Sequence, residues 1–311
     1  MGLLEGKVVL ITGGGRGIGR EQAILSARQG AKVIVNDLGG GIHGEGSDAS
    51  PAQEVVNLIK AEGGEAVANS DSVTDLKAVN RMMQQAMDTF GGLHVISNPA
   101  GFLRDRMMSN MTEEEWDGII EVHLRGHFNV VRASINHFRQ QKAGNYVMWS
   151  STSGLIGNVG QANYGAAKMG IAGLSRIIAL EGERYNIRSN AIAPGAATRL
   201  TDSVPRTEDA QAERLKQREI QSPERPAQLA VALSSDKSAQ VNGQVFWSGG
   251  YNLAVFQHPR PIQNYGMDGG WDADAIVEDF FPRVEKEFTP LARPAQTEPV
   301  MVTRSKKKAS A

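Results

Sequence analysis

Cysteine is absent from the 311-residue chain. Disulfide bonds, thiolate zinc sites and cysteine nucleophiles are therefore excluded within it. No stretch approaches the run of about 18 apolar residues that a transmembrane helix needs, so we expect no membrane partner. The chain also lacks an excess of one charge, because its formal net charge is −1 at pH 7. We therefore expect no nucleic-acid partner, and the one basic run, RSKKK at 304–308, is typical of a solvated terminus.

Targeting signals are not recognisable at either end of the sequence. The start, MGLLEGKVVLITGGG, has neither the basic region nor the long apolar core of a secretory signal. The last residues are ASA, unlike the Ser-Lys-Leu peroxisomal signal. We expect a cytoplasmic protein.

Short β-branched runs alternate with helix-like segments along most of the chain. The runs that read as strands are 7–12, 31–36, 65–69, 93–97, 145–150, 187–193 and 243–248. The segments with a helical pattern are 17–29, 52–62, 74–90, 112–140, 161–185 and 224–234. This alternation predicts an α/β fold, a Rossmann-type doubly wound parallel sheet of seven strands.

The composition changes after residue 250, where proline, glycine and acidic residues become frequent. We predict one domain over 1–250 and a C-terminal extension over 251–311, which is too small for a core of its own. The extension contains one short amphipathic segment around 272–281, which Pro282 is expected to end or kink. We expect the last ~15 residues to be disordered.

A glycine-rich loop, TGGGRGIG at 12–19, follows the first predicted strand and opens the first predicted helix. Glycines there allow a tight turn and a close approach to a pyrophosphate, which a helix N-terminus attracts. The loop residues assigned to cofactor binding are Gly13, Arg16, Gly17, Ile18 and Gly19.

Acidic residues at the ends of the next two strands extend this site. Asp37 follows Gly19 by 18 residues, where a carboxylate holds both hydroxyls of an adenosine ribose. The same carboxylate would repel a 2′-phosphate, so NAD is favoured over NADP, although Arg16 is a counter-signal. Asp71 and Ser72 end the third strand and are assigned to the adenine edge.

Ser151, Tyr164 and Lys168 are candidates for proton transfer. Tyr164 and Lys168 are four residues apart, so they share one face of a helix. A free tyrosine has a pKa near 10, and a neighbouring ammonium is expected to lower it by roughly 2–3 units, which would make a usable base. Ser151, with Ser150 as its substitute, would donate to the substrate oxygen. The alternative, a Tyr/Lys pair on a solvated helix, is weakened by the cofactor loop upstream.

These motifs together resemble the short-chain dehydrogenase/reductase family over about residues 5 to 250. They are TGGGRGIG, NPAG at 98–101, Ser151, YGAAK at 164–168 and APG at 193–195, in the family's order. The resemblance implies an oxidoreductase that interconverts a secondary alcohol and a ketone with NAD(P). It makes Ser151, Tyr164 and Lys168 catalytic, with the last two also touching the cofactor. The further cofactor contacts that it implies are Asn98, Ala100, Gly101, Pro194, Gly195 and Thr198.

A narrower likeness lies in VNDLGGGIHGEGSDASPAQEVV, AGFLRDRMM and GLIGNVGQANYGAAKMGIAGLS. These segments resemble the dehydrogenase domain of peroxisomal multifunctional enzymes of type 2 and their bacterial relatives. The resemblance implies a (3R)-3-hydroxyacyl-CoA substrate from fatty acid or sterol side-chain β-oxidation, with a 17β-hydroxysteroid or another bulky secondary alcohol as the alternative. It also implies a homodimer or homotetramer, paired through 112–140 and 161–185, and a substrate lid at about 196–222.

Phosphates of the acyl-CoA are candidates to meet arginine side chains near the site. The candidates are Arg104, Arg106 and Arg199, and the alternative for each is a surface ion pair.

Two positions depart from the family pattern. Pro99 stands where most members have asparagine, and proline removes a backbone donor. His123 stands where most members have the asparagine of a proton relay, so it is either a relay member or a structural histidine. These departures motivate a second class of function, a non-catalytic NAD-binding subunit of a complex, against which the intact Ser151, Tyr164 and Lys168 argue. His123 and His127 have no third ligand at a recognisable spacing, so no metal is expected.

Overall fold

Parallel strands form the centre of the molecule, and helices cover both faces. The computed structural model describes residues 2–41, 44–196, 219–291 and 299–302. It divides into two compact units, Met1–Phe256 and Gln257–Ala311. The first unit holds the complete sheet.

The strands of the sheet follow the order β3-β2-β1-β4-β5-β6-β7-β8. Their bounds are β1 Val8–Ile11, β2 Lys32–Asn36, β3 Glu65–Asn69, β4 Val95–Ser97, β5 Gly144–Trp149, β6 Ile187–Gly195, β7 Val245–Gly249 and β8 Asn252–Phe256. All pairings from β3 to β7 are parallel. The chain crosses from β3 back to β4 beside β1, which is the reversal of strand order that defines a doubly wound sheet. The predicted fold class is confirmed.

All seven predicted parallel strands are present, and β8 adds an eighth strand, antiparallel to β7. A tight turn joins the two strands, and Gly250 adopts a φ of +55° in it, in the left-handed region that favours glycine. Four of the five β8 residues are exposed, so the strand lacks the buried apolar pattern that marks the other strands. It also lies beyond residue 250, where we placed the end of the domain.

In the described part of the first unit, the α-helices are α1 Gly17–Arg28, α2 Ser50–Ala61, α3 Leu76–Phe90, α4 Glu113–Ile119, α5 Gly126–Gln141, α6 Thr152–Leu155, α7 Ala162–Gly182 and α8 Glu224–Ser234. The predicted helix 112–140 begins at a capping box between Thr112 and Glu115. It is not uniform, because a π-helical segment, Ile120–Arg125, separates α4 from α5. Among the described residues, no helix combines the length and apolar character needed to cross a membrane.

Two apolar clusters lie on opposite faces of the sheet. Val8 and Leu10 of β1 belong to one cluster, while Val9 and Ile11 belong to the other. This alternation follows from the pleat, since successive side chains of a strand point to opposite faces. Each fully buried aliphatic side chain contributes roughly 1.5–3 kcal/mol. The clusters thereby fix the carboxyl ends of the parallel strands side by side, where the candidate site residues follow.

The C-terminal unit contains a short helical stretch that begins at Asp272, whose side chain accepts a hydrogen bond from the Ala275 amide at 2.8 Å. A π-helical segment, Ile276–Phe280, leads into an α-helical turn, Phe281–Val284. The helical backbone therefore continues past Pro282, so of the two expectations, an end or a kink, the end is wrong. Pro282 follows directly on the change from π-helical to α-helical backbone at Phe281.

Candidate active site

The glycine-rich loop between β1 and α1 packs closely against the segment after β4. Gly13 and Gly17 have φ values of +57° and +53°. A Cβ on Gly13 would lie 2.7 Å from Ala100 Cα, and one on Gly19 would lie 2.1 Å from the Gly13 carbonyl oxygen. Only glycine fits these positions, and the loop leaves backbone N–H groups at the N-terminus of a 12-residue helix. Such an arrangement suits a pyrophosphate.

Asp37 lies beside this loop because β2 ends next to β1. Its Oδ2 accepts a hydrogen bond from the Gly15 amide at 2.8 Å, and its Oδ1 accepts one from the Gly39 amide at 2.7 Å. Each carboxylate oxygen retains a second lone pair, which can accept from a ribose hydroxyl. Gly15 was not among the predicted site residues, yet a Cβ there would lie 2.8 Å from Asp37 Oδ2. The third glycine of the triplet was the available signal.

Two other loop residues assigned to the cofactor have distinct surroundings. Arg16 is the N-cap residue of α1, with extended backbone and no side-chain cap. Ile18 is partly buried and packs against the apolar clusters. Ile18 therefore anchors the glycine-rich loop to the apolar core.

At the end of β3, Asp71 and Ser72 take part in a local polar network. Asp71 forms an ion pair with Arg81, and its Oδ2 accepts from Asn69 Nδ2 at 3.1 Å. The Ser72 hydroxyl lies 2.9 Å from Thr74 Oγ1 and accepts from the Thr74 amide. The Asp37 amide donates to the Asn69 carbonyl, which keeps this network at the same edge of the sheet as the glycine loop.

Thr12 connects the glycine loop to the NPAG segment. Its hydroxyl donates to Asn98 Oδ1 and accepts from the Ala100 amide at 3.4 Å. This second bond comes from the residue after Pro99, so the proline leaves it intact. Among the described residues, the buried Asn98 Nδ2 has no hydrogen-bond partner. An unpaired buried donor at this position is available to a ligand.

Ser151, Tyr164 and Lys168 come together where β5 ends and α7 begins. Tyr164 shares a side-chain hydrogen bond with Ser151. Lys168 Nζ lies 5.3 Å from the centre of the Tyr164 ring and donates to the Trp149 carbonyl at 2.7 Å. Ser150 instead donates its hydroxyl to the Lys168 carbonyl at 2.8 Å. The geometry thus places Ser151 beside the tyrosine and gives Ser150 a structural bond.

The ionisation of this group differs from the sequence-based expectation. Burial raises the pKa of Tyr164 to about 12, although its hydrogen bond with Ser151 partly offsets this and the charge of Asp105 adds to it. Burial also lowers the pKa of Lys168 to about 7. The expectation of a lowered tyrosine pKa is therefore wrong. The sequence spacing could not reveal how completely the fold removes both groups from water.

His123 lies in the π-helical segment, directly against the tyrosine. Its ring meets the Tyr164 ring edge-on, with centres 5.2 Å apart and an interplanar angle of 86°. Nε2 lies 2.8 Å from the Phe102 carbonyl oxygen and 3.3 Å from the Phe102 amide nitrogen. The shorter contact is to an oxygen that can only accept, which favours a proton on Nε2. Burial and the charge of Lys168 hold the pKa of His123 well below its usual value. Its Nδ1 is buried and has no partner among the described residues.

His127 was not assigned a role from sequence, and it supports the segment that carries His123. Its Nδ1 donates to the His123 carbonyl at 2.6 Å, and its Nε2 faces the Trp149 amide at 3.5 Å. Both ring nitrogens are thus engaged by backbone. Within the ranges that the structure describes, no cluster of three His, Cys, Asp or Glu side chains could hold a metal ion.

The remaining predicted contacts lie at the edge of the site. Pro194 and Gly195 end β6 and pair with Ser248 and Gly249 of β7. Gly101 is held against His123, since a Cβ there would lie 2.0 Å from the ring. Thr198, Arg199 and most of the expected lid at 196–222 lie outside the described residues.

Arg104 and Arg106 form ion pairs next to the site. Arg104 lies 3.5 Å from Glu114, and Arg106 lies 2.7 Å from Glu115. These contacts match the surface ion-pair alternative that we considered for both residues.

Comparisons with known proteins agree with this geometry. The chain matches the family described as short chain dehydrogenase over residues 7–211. It is 50% identical over 200 residues to the peroxisomal multifunctional enzyme type 2 of Mus musculus, which covers 64% of this chain but 27% of that enzyme. It is 36% identical over 295 residues to the hydroxyacyl-CoA dehydrogenase ChsB1 of Mycobacterium tuberculosis, which covers 89% of both chains.

A solved structure agrees as well. The crystal structure of a short chain dehydrogenase from Mycobacterium avium is similar with a TM-score of 0.81 and 37% identity. The similarity covers 93% of this chain and 98% of that chain.

Proposed function

The chain belongs to the short-chain dehydrogenase family, and on this premise we propose that it is an NAD-dependent dehydrogenase of (3R)-3-hydroxyacyl-CoA thioesters. The coarser class, an oxidoreductase acting on CH–OH groups, follows from the family itself. The observation that supports an NAD-dependent dehydrogenase is the grouping of Ser151, Tyr164 and Lys168 beside a glycine loop that has Asp37 at its edge.

The proton chemistry is assigned to the side chains at the end of β5. Tyr164 accepts the proton of the substrate alcohol, and Ser151 donates a hydrogen bond to the same oxygen. NAD, when bound, supplies the hydride acceptor and a positive ring charge that favours the phenolate. Lys168 has a pKa of about 7, so it can release or take up a proton at neutral pH. Burial and the charge of Lys168 keep His123 neutral, so its buried Nδ1, which has no partner among the described residues, can accept a hydrogen bond in a proton relay.

The residues around the glycine loop fit NAD. Gly13 and Gly19 leave room for a pyrophosphate, and the orphaned Nδ2 of Asn98 offers a buried donor nearby. Asp37 favours the ribose hydroxyls of NAD over the 2′-phosphate of NADP, since two negative charges would face each other.

The substrate class rests on relatives. One is named peroxisomal multifunctional enzyme type 2 and another is named hydroxyacyl-CoA dehydrogenase. The chain spans about a quarter of the mouse enzyme, so the other activities of that protein are not transferred here.

A substrate panel tests this proposal. Formation of NADH would be followed by absorbance with (3R)- and (3S)-3-hydroxyacyl-CoA and with 17β-hydroxysteroids, each with NAD and with NADP. We expect turnover of the (3R)-thioester with NAD. Turnover of steroids alone would contradict the assignment of the thioester as substrate. Turnover with NADP alone would contradict the assignment of NAD as cofactor.

A non-catalytic NAD-binding subunit would show no turnover in any arm. Tyr164→Phe serves as the matched control, because it removes the proton acceptor and keeps the ring. We expect it to lose turnover while calorimetry still detects NAD binding. Unchanged turnover would contradict the assignment of Tyr164.

We also propose that several copies of the chain associate into a homodimer or homotetramer. Large apolar side chains on α5 and α7 are exposed, with 49% exposure at Phe128, 51% at Ile177 and 55% at Leu180. Such a patch is typical of a protein interface. Light scattering after size-exclusion chromatography is expected to give the mass of a dimer or tetramer, and the mass of a single chain would contradict this.

A further inference from the structure

Asp105 lies in the loop that follows β4, partly buried against the start of α7. Its Oδ2 accepts a hydrogen bond from Gln161 Nε2 at 2.8 Å. Its Oδ1 is buried and has no hydrogen-bond partner among the described residues. A carboxylate with one oxygen unsatisfied is costly to bury, and this cost calls for a reason beyond local packing.

Gln161 is the N-cap residue of α7, three residues before Tyr164, and only 5% exposed. Both ends of its amide are held, since its Oε1 accepts from Asn158 Nδ2 at 2.9 Å. The hydrogen bond that Gln161 donates to Asp105 therefore acts on the first turn of the helix that carries Tyr164. Residues three apart on a helix lie on neighbouring positions of one face.

Further bonds fasten the Asp105 loop to the same helix start. The Arg106 amide donates to the Gly160 carbonyl at 2.8 Å. Asn163 Nδ2 donates to the Arg104 carbonyl at 3.0 Å, and the Tyr164 amide donates to Asn163 Oδ1 at 2.7 Å. The loop and the tyrosine thus form one rigid arrangement, in which Asp105 supplies the charge.

The ionisable groups on the elements packed around Asp105 are either members of ion pairs or residues of the candidate active site. They are Arg104 and Arg106 on its own loop, Glu114 and Glu115 on α4, and Tyr164 and Lys168 on α7. The two arginines are ion-paired with the two glutamates. Burial raises the pKa of Asp105, partly offset by the bond from Gln161, and the charge of Asp105 in turn raises the pKa of Tyr164.

We propose that Asp105 is a positioning residue for Tyr164: its carboxylate holds Gln161 at the start of α7 and places a negative charge beside the turn that carries the tyrosine. The proposal rests on the proposed function only in that Tyr164 is the reacting group. Removal of the negative charge of Asp105 would let the Tyr164 phenolate form at lower pH, whichever direction of the reaction is measured.

Asp105→Asn separates charge from hydrogen bonding, because the amide oxygen can still accept from Gln161. The phenolate of Tyr164 would be measured without substrate or cofactor, as the ultraviolet difference between each protein and its Tyr164→Phe counterpart. The pH would be alkaline but within the range where circular dichroism shows a folded protein. We expect Asp105→Asn to increase the phenolate fraction at least about threefold, equivalent to about half a pH unit.

The pH profile of kcat provides a second readout. Oxidation requires the phenolate, so its rate rises with pH, and we expect the Asp105→Asn profile to move to lower pH. Gln161→Ala keeps the charge and removes the hydrogen bond. It is expected to lower kcat several-fold without moving the profile.

Glu114→Gln is the matched control, since its side chain is 88% exposed and close in the fold but not in contact with the tyrosine turn. If Asp105→Asn leaves both the phenolate fraction and the profile where Glu114→Gln leaves them, the proposal is overturned. Asp105→Ser is a second neutral variant should Asp105→Asn fail to fold. A protein without any turnover would contradict the proposed function. The absorbance measurement would still show whether the charge of Asp105 affects the ionisation of Tyr164.

Discussion

Lys168 donates from Nζ to the carbonyl oxygen of Trp149 at 2.7 Å, so the lysine of α7 is tied to the last residue of β5. Lys168 is only 4% exposed, and Trp149 is 2% exposed. A buried ammonium with a neutral partner is costly, which is why the pKa of Lys168 falls to about 7. The bond therefore fixes a cation that the fold itself disfavours, as expected where a site is arranged for chemistry and not for stability.

Lys168→Met is expected to make the protein more stable at neutral pH and inactive. The native pKa of about 7 lies below the usual 10.5, so the lysine contributes full stability only above about pH 10.5 and loses it as the pH falls toward 7. Methionine removes this penalty but leaves the Trp149 carbonyl unpaired, for a net gain of about 1–4 kcal/mol near pH 7.

Urea unfolding of both proteins at several pH values checks this prediction. The stability difference should shrink by about 1.4 kcal/mol per pH unit as the pH rises between about 7 and 10. A variant that is less stable than the native protein throughout this range would show that the buried lysine is not destabilising.

His123 gives a prediction about the proton relay. His123→Phe keeps the ring against Tyr164 but leaves the Phe102 carbonyl unpaired, which costs about 1–3 kcal/mol of stability. If Nδ1 is a relay acceptor, kcat falls by about 10- to 100-fold with little change in KM.

His123→Asn is the control, because it restores the residue type that is usual in the family and is expected to recover much of kcat. The solvent isotope effect on kcat should rise in His123→Phe alone. Equal kcat in all three proteins would make His123 a structural histidine.

The sequence was sufficient to predict the doubly wound sheet because its signals are local. The apolar run Val8–Ile11 indicates a strand, and the glycines that begin at Gly13 indicate a turn, from a few consecutive residues in each case. The spacing of Tyr164 and Lys168 likewise predicted that they share a face, and the structure places them together.

Features that depend on burial were not predictable in this way. The direction of the Tyr164 pKa depends on burial by the surrounding fold and on the charge of Asp105, which is far away in the sequence. The π-helical segment at His123 and the exposed strand β8 leave no periodic pattern either. The roles assigned to Asp71 and Ser72 remain predictions, because both side chains bond to neighbours that the sequence did not single out.

Asp37 determines the predicted choice of cofactor. Asp37→Ser is expected to weaken NAD binding and to strengthen NADP binding, which would change the ratio of the two affinities by about 10- to 100-fold, or 1.4–2.7 kcal/mol. Calorimetric titration with both nucleotides measures this ratio. Asp71→Asn is the control, since its carboxylate is paired with Arg81, and an equal change in both variants would remove the special role of Asp37.

Gly13→Ala is expected to weaken the cofactor site. The new Cβ would lie 2.7 Å from Ala100 Cα, and the residue has a φ of +57°, so both the close approach and the backbone angle oppose alanine. We expect a loss of stability of about 1–3 kcal/mol and at least tenfold weaker NAD binding.

Gly173→Ala in α7 is the matched control, because nothing lies within 4 Å of its would-be Cβ. Alanine is the better helix former, so this variant should gain about 0.5–1 kcal/mol and bind NAD unchanged. Thermal unfolding and NAD titration on the two variants separate the effects. If Gly13→Ala binds NAD as tightly as Gly173→Ala, the loop has more freedom than its contact with Ala100 allows, and the pyrophosphate would have to be placed elsewhere.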